Sequence, residues 1–175
     1  QALSALGAKF SRDGDGIVVT PVPREGKSGV PTLDCIESGS TLRFLLPVAA
    51  ALRDKTSFTA RGGLRTRPLA ELLRAMEANG VSADRDTAPL TLSGRLQSGT
   101  FAIRGDVSSQ YISGLLFALP LLSGDSRIVL LTALSSAGYV DMTLDALSRF
   151  GVRVKKTEDG FFVPGDQVYR GPSSL

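Results

Sequence analysis

Three stretches decide the fold: ALGAKFSRDGDGIVVTP at residues 5–21, ANGVSADRDTAPLTLSG at residues 78–94 and RFGVRVKKTEDGFFVPG at residues 149–165. Each reads as a helix end, a glycine followed by an apolar residue, a charged turn and a strand. Gly7, Gly80 and Gly151 occupy the same place, 73 and then 71 residues apart. Each suits the left-handed position that closes a helix, which glycine adopts at least cost. Such self-similarity marks a repeated structural unit.

Working outward, the segments before the second and third glycines carry amphipathic helices. Leu69, Leu72, Leu73 and Met76 fall at i, i+3, i+4 and i+7, and Val140, Leu144 and Leu147 follow nearly the same spacing, so each helix turns one apolar stripe to a core. Further upstream, ESGSTLRFLLPVAAALRDKTSFTA at residues 37–60 and DVSSQYISGLLFALPLLSGDSRIVLL at residues 106–131 share another layout. A polar Ser/Gly cluster opens an almost wholly apolar helix, and a strand follows. The 71-residue offset sets Ser38 on Ser109, Leu45 on Leu116 and Arg67 on Gly138. One unit therefore reads strand, helix, strand, helix, strand, strand.

The second half of that unit occurs three times and the first half twice, because Gln1 falls partway into a helix. The count predicts an α/β (α+β) domain of three βαβαββ units with the first strand–helix half-unit missing, residues 1–175 forming a single, N-terminally truncated domain. Apolar helices should lie centrally, with strands and amphipathic helices around them. An exposed apolar patch is expected where the absent strand and helix would pack.

Composition narrows the chemistry. The 175 residues are 42% hydrophobic and 21% charged, enough to bury a real core. There is no His, which excludes Ser-His-Asp and Cys-His catalysis and any His-ligated metal. Proton transfer would have to use Lys, a carboxylate or Tyr. The single cysteine, Cys35, excludes an intrachain disulfide and reads as a packed residue with no His to activate it. The net charge of +3 is spread singly and aromatics are 6% without Trp, a pattern that argues against nucleic acid. No signal peptide opens the chain, and the apolar stretches Leu42–Leu52 and Tyr111–Leu122 are too short to span a bilayer and each contains a proline. No membrane association is expected, and a cytoplasmic location fits.

Both apolar helices open on hydrogen-bond donors: Ser38, Gly39, Ser40 and Thr41 in one copy, Ser108, Ser109 and Gln110 in the other. Free amides and the positive end of the helix dipole make such starts anion sites, with phosphate or carboxylate as guest. Ordinary N-capping is the competing reading. Arg43 lies one turn into the first apolar helix, and Arg65 and Arg67 precede Pro68 at the expected start of the next, where a guanidinium can grip an anion bidentately. The corresponding stretch of the third unit offers Ser136 and Tyr139. Other motifs fail. GKS at residues 26–28 lacks the earlier glycine of a phosphate loop, and RDGDG at residues 12–16 reads as a hairpin turn rather than a calcium loop.

Four stretches together resemble one family: ESGSTLRF at residues 37–44, RTRPLAELL at residues 65–73, GDVSSQYISGLL at residues 105–116 and SSAGYVDMTL at residues 135–144. In order and spacing, and over essentially the whole chain, they are similar to the N-terminal domain of the 5-enolpyruvylshikimate-3-phosphate synthases. The resemblance implies an enolpyruvyl transferase-like inside-out α/β barrel, one of two similar domains closing over substrates. It implies transfer of the carboxyvinyl group of phosphoenolpyruvate to the 5-hydroxyl of shikimate 3-phosphate, with release of phosphate, in the shikimate pathway to chorismate and aromatic amino acids. No metal and no cofactor are implied. The partners are the two small-molecule substrates and the second domain of the same enzyme.

By the same resemblance, Ser108, Ser109 and Gln110 match the Ser-Ser-Gln that holds shikimate 3-phosphate, and Ser136 and Tyr139 match further contacts to it. Gln110 should also approach phosphoenolpyruvate. Gly39 matches the glycine bordering the phosphoenolpyruvate pocket, where the family is sensitive to glyphosate, and Arg67 matches an arginine binding phosphoenolpyruvate. Glu37 and Arg43 are further candidates beside that loop. No catalytic acid or base is expected in this chain, so it should be inactive alone.

The sequence departs from the family pattern at Ile36, where many members have glycine, and at Ala137 and Gly138, where many have Lys-Pro. Two alternatives share the scaffold. One is the carboxyvinyl transferase acting on UDP-N-acetylglucosamine, whose reactive-cysteine loop has no counterpart here. The other is a non-catalytic anion-binding module.

Overall fold

The computed structural model describes residues 1–23 and 29–171. The GKS stretch lies outside the described residues. The second unit runs β3 (Thr32–Asp34), α2 (Gly39–Leu52), β4 (Lys55–Thr59), a 3-10 turn (Gly62–Thr66), α3 (Ala70–Glu77), β5 (Ser82–Ala83) and β6 (Leu90–Ser93). The third repeats it with β7 (Thr100–Ile103), α4 (Ser109–Ala118), β8 (Ser126–Leu130), α5 (Ala137–Arg149), β9 (Lys155–Thr157) and β10 (Gly160–Val163). The first contributes α1 (Ala2–Leu6) and a hairpin of β1 (Lys9–Asp13) and β2 (Gly16–Thr20).

The two full units have one topology. Their sheets run β3-β4-β6-β5 and β7-β8-β10-β9, with the first pair parallel and the others antiparallel. Among the described residues the strands form these two sheets and the separate β1–β2 hairpin, and they do not close into a barrel. Gly7, Gly80 and Gly151 all have positive φ, at 115°, 92° and 74°, so the three helix-ending glycines of the repeat do what their spacing predicts. RDGDG is a hairpin turn, with Asp13 paired to Gly16.

The core is built on α2 and α4. Their inward residues, including Leu42, Leu46, Ile112, Leu115 and Leu116, are fully buried. Gly114 permits the contact, because a Cβ there would come within 2.5 Å of the Arg43 carbonyl oxygen and 3.1 Å of Pro47. The apolar stretch 111–122 is α-helical to Ala118 and continues as a 3-10 turn, Leu119–Leu121, that takes in Pro120, whereas Pro47 lies inside the uninterrupted α2. The far end of α2 is closed by arginines. Arg53, itself buried, donates to the carbonyls of Leu6 (2.6 Å), Leu52 (2.8 Å) and Pro23 (3.3 Å), tying α1 to α2. Arg95 donates to the carbonyls of Ala51 and Leu52. Cationic donors there satisfy orphan carbonyls and complement the helix dipole.

The expected apolar patch is present. Both hairpin strands are exposed throughout, with Ile17 at 70%. Phe44, Leu45, Val48, Phe117 and Leu121 line an apolar groove of about 610 Å³ beside them.

Candidate functional site

Parallel pairing of β3 with β4, and of β7 with β8, sends the chain into a helix from the carboxyl ends of the strands four times over. This is where open α/β sheets place ligands. The starts of α2 and α4 meet directly: Arg43 Nη1 donates to Gln110 Oε1 at 2.9 Å, and the Arg43 guanidinium lies 5.7 Å from the centre of the Tyr111 ring. The starts of α4 and α5 are joined by their preceding loops. Thr132 Oγ1 accepts from the amides of Gly105 (3.0 Å) and Asp106 (3.2 Å) and donates to Asp106 Oδ1, while the Ser135 amide donates to the Gly105 carbonyl. One turn into the helices, Ser113 Oγ and Thr143 Oγ1 are 2.7 Å apart.

Glu37, Gly39, Arg43 and Arg67 surround one open cavity of about 360 Å³, completed by Gly63 and Leu64. Four candidates from separate stretches of sequence therefore share a pocket, and Gln110 is bonded to its wall. Gly39 leaves room for the cation, since a Cβ there would sit 2.5 Å from Arg43 Nη1. Arg43 Nε is buried without a hydrogen-bond partner, so Gln110 and the aromatic face are what hold this guanidinium in place. The Arg67 side chain is exposed and has no polar partner among the described residues. One held and one exposed, unpartnered guanidinium suit a carboxylate or phosphate.

The helix starts differ in a way the sequence did not reveal. Ser38 caps α2: its Oγ accepts from the Thr41 amide and hydroxyl, and Ser40 Oγ lies 3.2 Å away. At that helix the serine side chain is engaged in ordinary capping. At α4, Ser108 makes no capping bond with its side chain and the Tyr111 amide bonds the Ser108 carbonyl, so the Ser109 and Gln110 amides and the hydroxyls of Ser108 and Ser109 keep their donors. Ser136 likewise opens α5 without capping it, and Tyr139 stands 68% exposed on its first turn.

Arg65 is corrected. It lies within the 3-10 turn and lines a different cavity with Thr66 and Arg85, while α3 begins at Ala70, two residues past Pro68. Arg65 lies in the 3-10 turn and Arg67 is the extended residue that ends it, and of the two Arg67 lines the pocket with Glu37. Sequence reasoning also missed Tyr111, whose hydroxyl donates to the Pro68 carbonyl at 2.8 Å. Its apolar spacing signals only core, and its polar tip became informative once the Arg67–Pro68 segment was placed beside it.

Two carboxylates and the cysteine complete the electrostatics. A bidentate pair from Arg104, at 2.8 and 3.0 Å, together with Thr132, holds the Asp106 carboxyl down to about 2. The Ile36 amide, with Arg61 beside it, lowers Asp34 from the ordinary value. Burial pushes the Cys35 thiol up to about 11, in keeping with a packed residue. No group of three or more potential ligating side chains for a metal occurs among the described residues. None of the described helices is long and apolar enough to cross a membrane.

Comparison with known proteins bears on this arrangement. The 3-phosphoshikimate 1-carboxyvinyltransferase of Clostridium kluyveri is 41% identical over 177 residues, covering 97% of this chain and 40% of the relative. That of Clostridium novyi is 44% identical over 139 residues, covering 78% and 32%. The chain thus spans about two fifths of the length of the first of these relatives. An EPSP synthase structure from Acinetobacter baumannii superposes with a TM-score of 0.79 at 21% identity, over 97% of this chain and 39% of that one, and so shares the fold. A family model described as EPSP synthase (3-phosphoshikimate 1-carboxyvinyltransferase) matches residues 1–173, and the chain belongs to that family.

Proposed function

We propose that this chain supplies one wall of a site where the carboxyvinyl group of phosphoenolpyruvate passes to the 5-hydroxyl of shikimate 3-phosphate. The observation carrying this reading is the pocket that unites Glu37, Gly39, Arg43 and Arg67, with Gln110 bridging it to the uncapped start of α4. Phosphoenolpyruvate fits the arginine pocket, with Arg67 and Arg43 on its anionic groups. Shikimate 3-phosphate fits the adjoining donors Ser108, Ser109, Gln110, Ser136 and Tyr139. Gln110 touches both.

In the reaction, a proton adds to the methylene carbon of phosphoenolpyruvate and the 5-hydroxyl oxygen bonds to its C2, losing its own proton. The tetrahedral adduct then breaks its bond to the phosphate oxygen and gives up a methyl proton, restoring the double bond. Arg43, Arg67 and the start of α4 stabilise the charge on phosphate and carboxylate through these steps. The proton carriers belong to a second domain and to a preceding half-unit of the same enzyme, of which residues 1–175 are one truncated domain. The protein works in the cytoplasm on small molecules, without nucleic acid, membrane or metal.

Two measurements test the proposal. Mixed with both substrates, the chain alone should release no phosphate, and turnover would contradict the division of labour. Calorimetry should show shikimate 3-phosphate binding weakened about tenfold by Gln110→Ala, the loss of one or two good hydrogen bonds to a charged ligand. Unchanged affinity would remove Gln110 from the site.

A further inference from the structure

Tyr111 touches Arg43 and the residue that follows Arg67. Its side chain is buried at 3% exposure on the first turn of α4. The ring lies under Arg43, 5.7 Å from centroid to guanidinium carbon, and the hydroxyl donates to the Pro68 carbonyl at 2.8 Å. Pro68 follows Arg67 directly, and its ring fixes the backbone there. Leu69, the next residue, is fully buried and its amide donates to the Asp86 carbonyl at 3.0 Å. The Pro68–Leu69 peptide, one residue beyond Arg67, is thus held from α4 on one side and from the loop before β6 on the other.

We propose that Tyr111 is a positioning residue that sets the spacing of Arg43 and Arg67 across the anion pocket, the first on its ring face and the second through Pro68. Tyr111 need not touch the ligand. A carboxylate or phosphate bridging two guanidinium groups gains most when their separation is fixed before it arrives, because ordering them on binding costs side-chain entropy. Arg43 is fixed also by Gln110, whereas the Arg67 side chain has no polar partner among the described residues. The Arg67 amide donates to the Leu64 carbonyl at 3.2 Å, and the Tyr111 tether is the side-chain bond that ties the following residue to α4.

The inference rests on the pocket binding an anion as set out above, and the test separates the two. Arginine Nε–Hε resonances are followed by NMR in the 175-residue chain, free and titrated with phosphoenolpyruvate. Tyr111→Phe keeps the ring and removes the hydroxyl. Tyr111→Leu removes both. Tyr169→Phe is the control, since Tyr169 donates to the Phe117 carbonyl at 2.7 Å away from the pocket. In the free protein the Arg43 resonance should keep its ring-current shift in Tyr111→Phe and lose it in Tyr111→Leu, while Arg67 and Leu69 gain mobility in both.

Affinity for phosphoenolpyruvate should fall about threefold in Tyr111→Phe and about tenfold in Tyr111→Leu, and stay at the wild-type value in Tyr169→Phe. Wild-type affinity in both Tyr111 variants, or an equal loss in Tyr169→Phe, would overturn the proposal. If the wild-type chain binds no phosphoenolpyruvate, the substrate reading fails for this chain, and the resonances of the free protein still decide the positioning. Changes confined to the Tyr111 variants support it, and their absence overturns it.

Discussion

At Ile36 the chain holds a β-branched residue at φ 53°, in the left-handed region that costs an L-residue roughly 1–2 kcal/mol. The turn needs that conformation: the Ile36 amide bonds Asp34 Oδ1 at 3.0 Å and its carbonyl accepts from Arg61 at 2.6 Å, closing the approach to Gly39. The side chain is 49% exposed and has little packing to lose. Ile36→Gly should therefore stabilise the protein by roughly 0.5–1 kcal/mol, glycine's extra freedom in the unfolded chain offsetting part of the relief. Denaturant unfolding would check this, and a loss of stability would mean that the Ile36 side chain packs more than its exposure implies. The departure from glycine was visible in the sequence, whereas the positive φ behind it was not.

Among the elements, the loops before α4 and α5 are a joined pair, and Asp106 is the joint. Its carboxyl accepts from Arg104 and Thr132 and is held below its ordinary value of 3.8, at about 2. A depressed carboxyl contributes stability that is complete above the unfolded value and is lost as pH falls through the folded one. The Asp106 carboxyl resonance should show it still ionised at pH 3, with the Gly105 and Ser135 amides unmoved from pH 7 down to pH 4. A midpoint near 4 would contradict the pairing. None of this was legible from GDVSSQ or SSAGY alone, because Thr132 meets Asp106 across 26 residues. The helices themselves were legible. Leu72, Leu73 and Met76 are buried as their spacing requires, and the missed detail is the end of α4, where a 3-10 turn takes over.

Over the whole molecule, the repeat spelled out the order of elements in both full units, whereas the strand order and the parallel first pair of each sheet were not legible in it. It also led to the expectation of an exposed apolar patch, and exposed apolar residues are found on the hairpin. It could not separate Arg65 from Arg67, because their two-residue spacing does not determine which side of the turn each takes. Nor did it distinguish a serine cluster spent on capping, at α2, from one left free, at α4. The site is thus a joint property of the two full units: Arg43 and Arg67 come from one, Ser108, Ser109 and Gln110 from the other, and the packing of α2 on α4 at Gly114 brings them together.

The central claim is that two anions lie side by side over these helix starts. Its most direct test is an NMR titration of the chain with shikimate 3-phosphate, with UDP-N-acetylglucosamine and inorganic phosphate as controls, reading the amides of Ser108, Ser109 and Gln110. The account predicts saturable shifts at these three residues with shikimate 3-phosphate, and none there with the UDP-sugar. Shifts with the UDP-sugar alone, or none with shikimate 3-phosphate while the spectrum stays well dispersed, would contradict it.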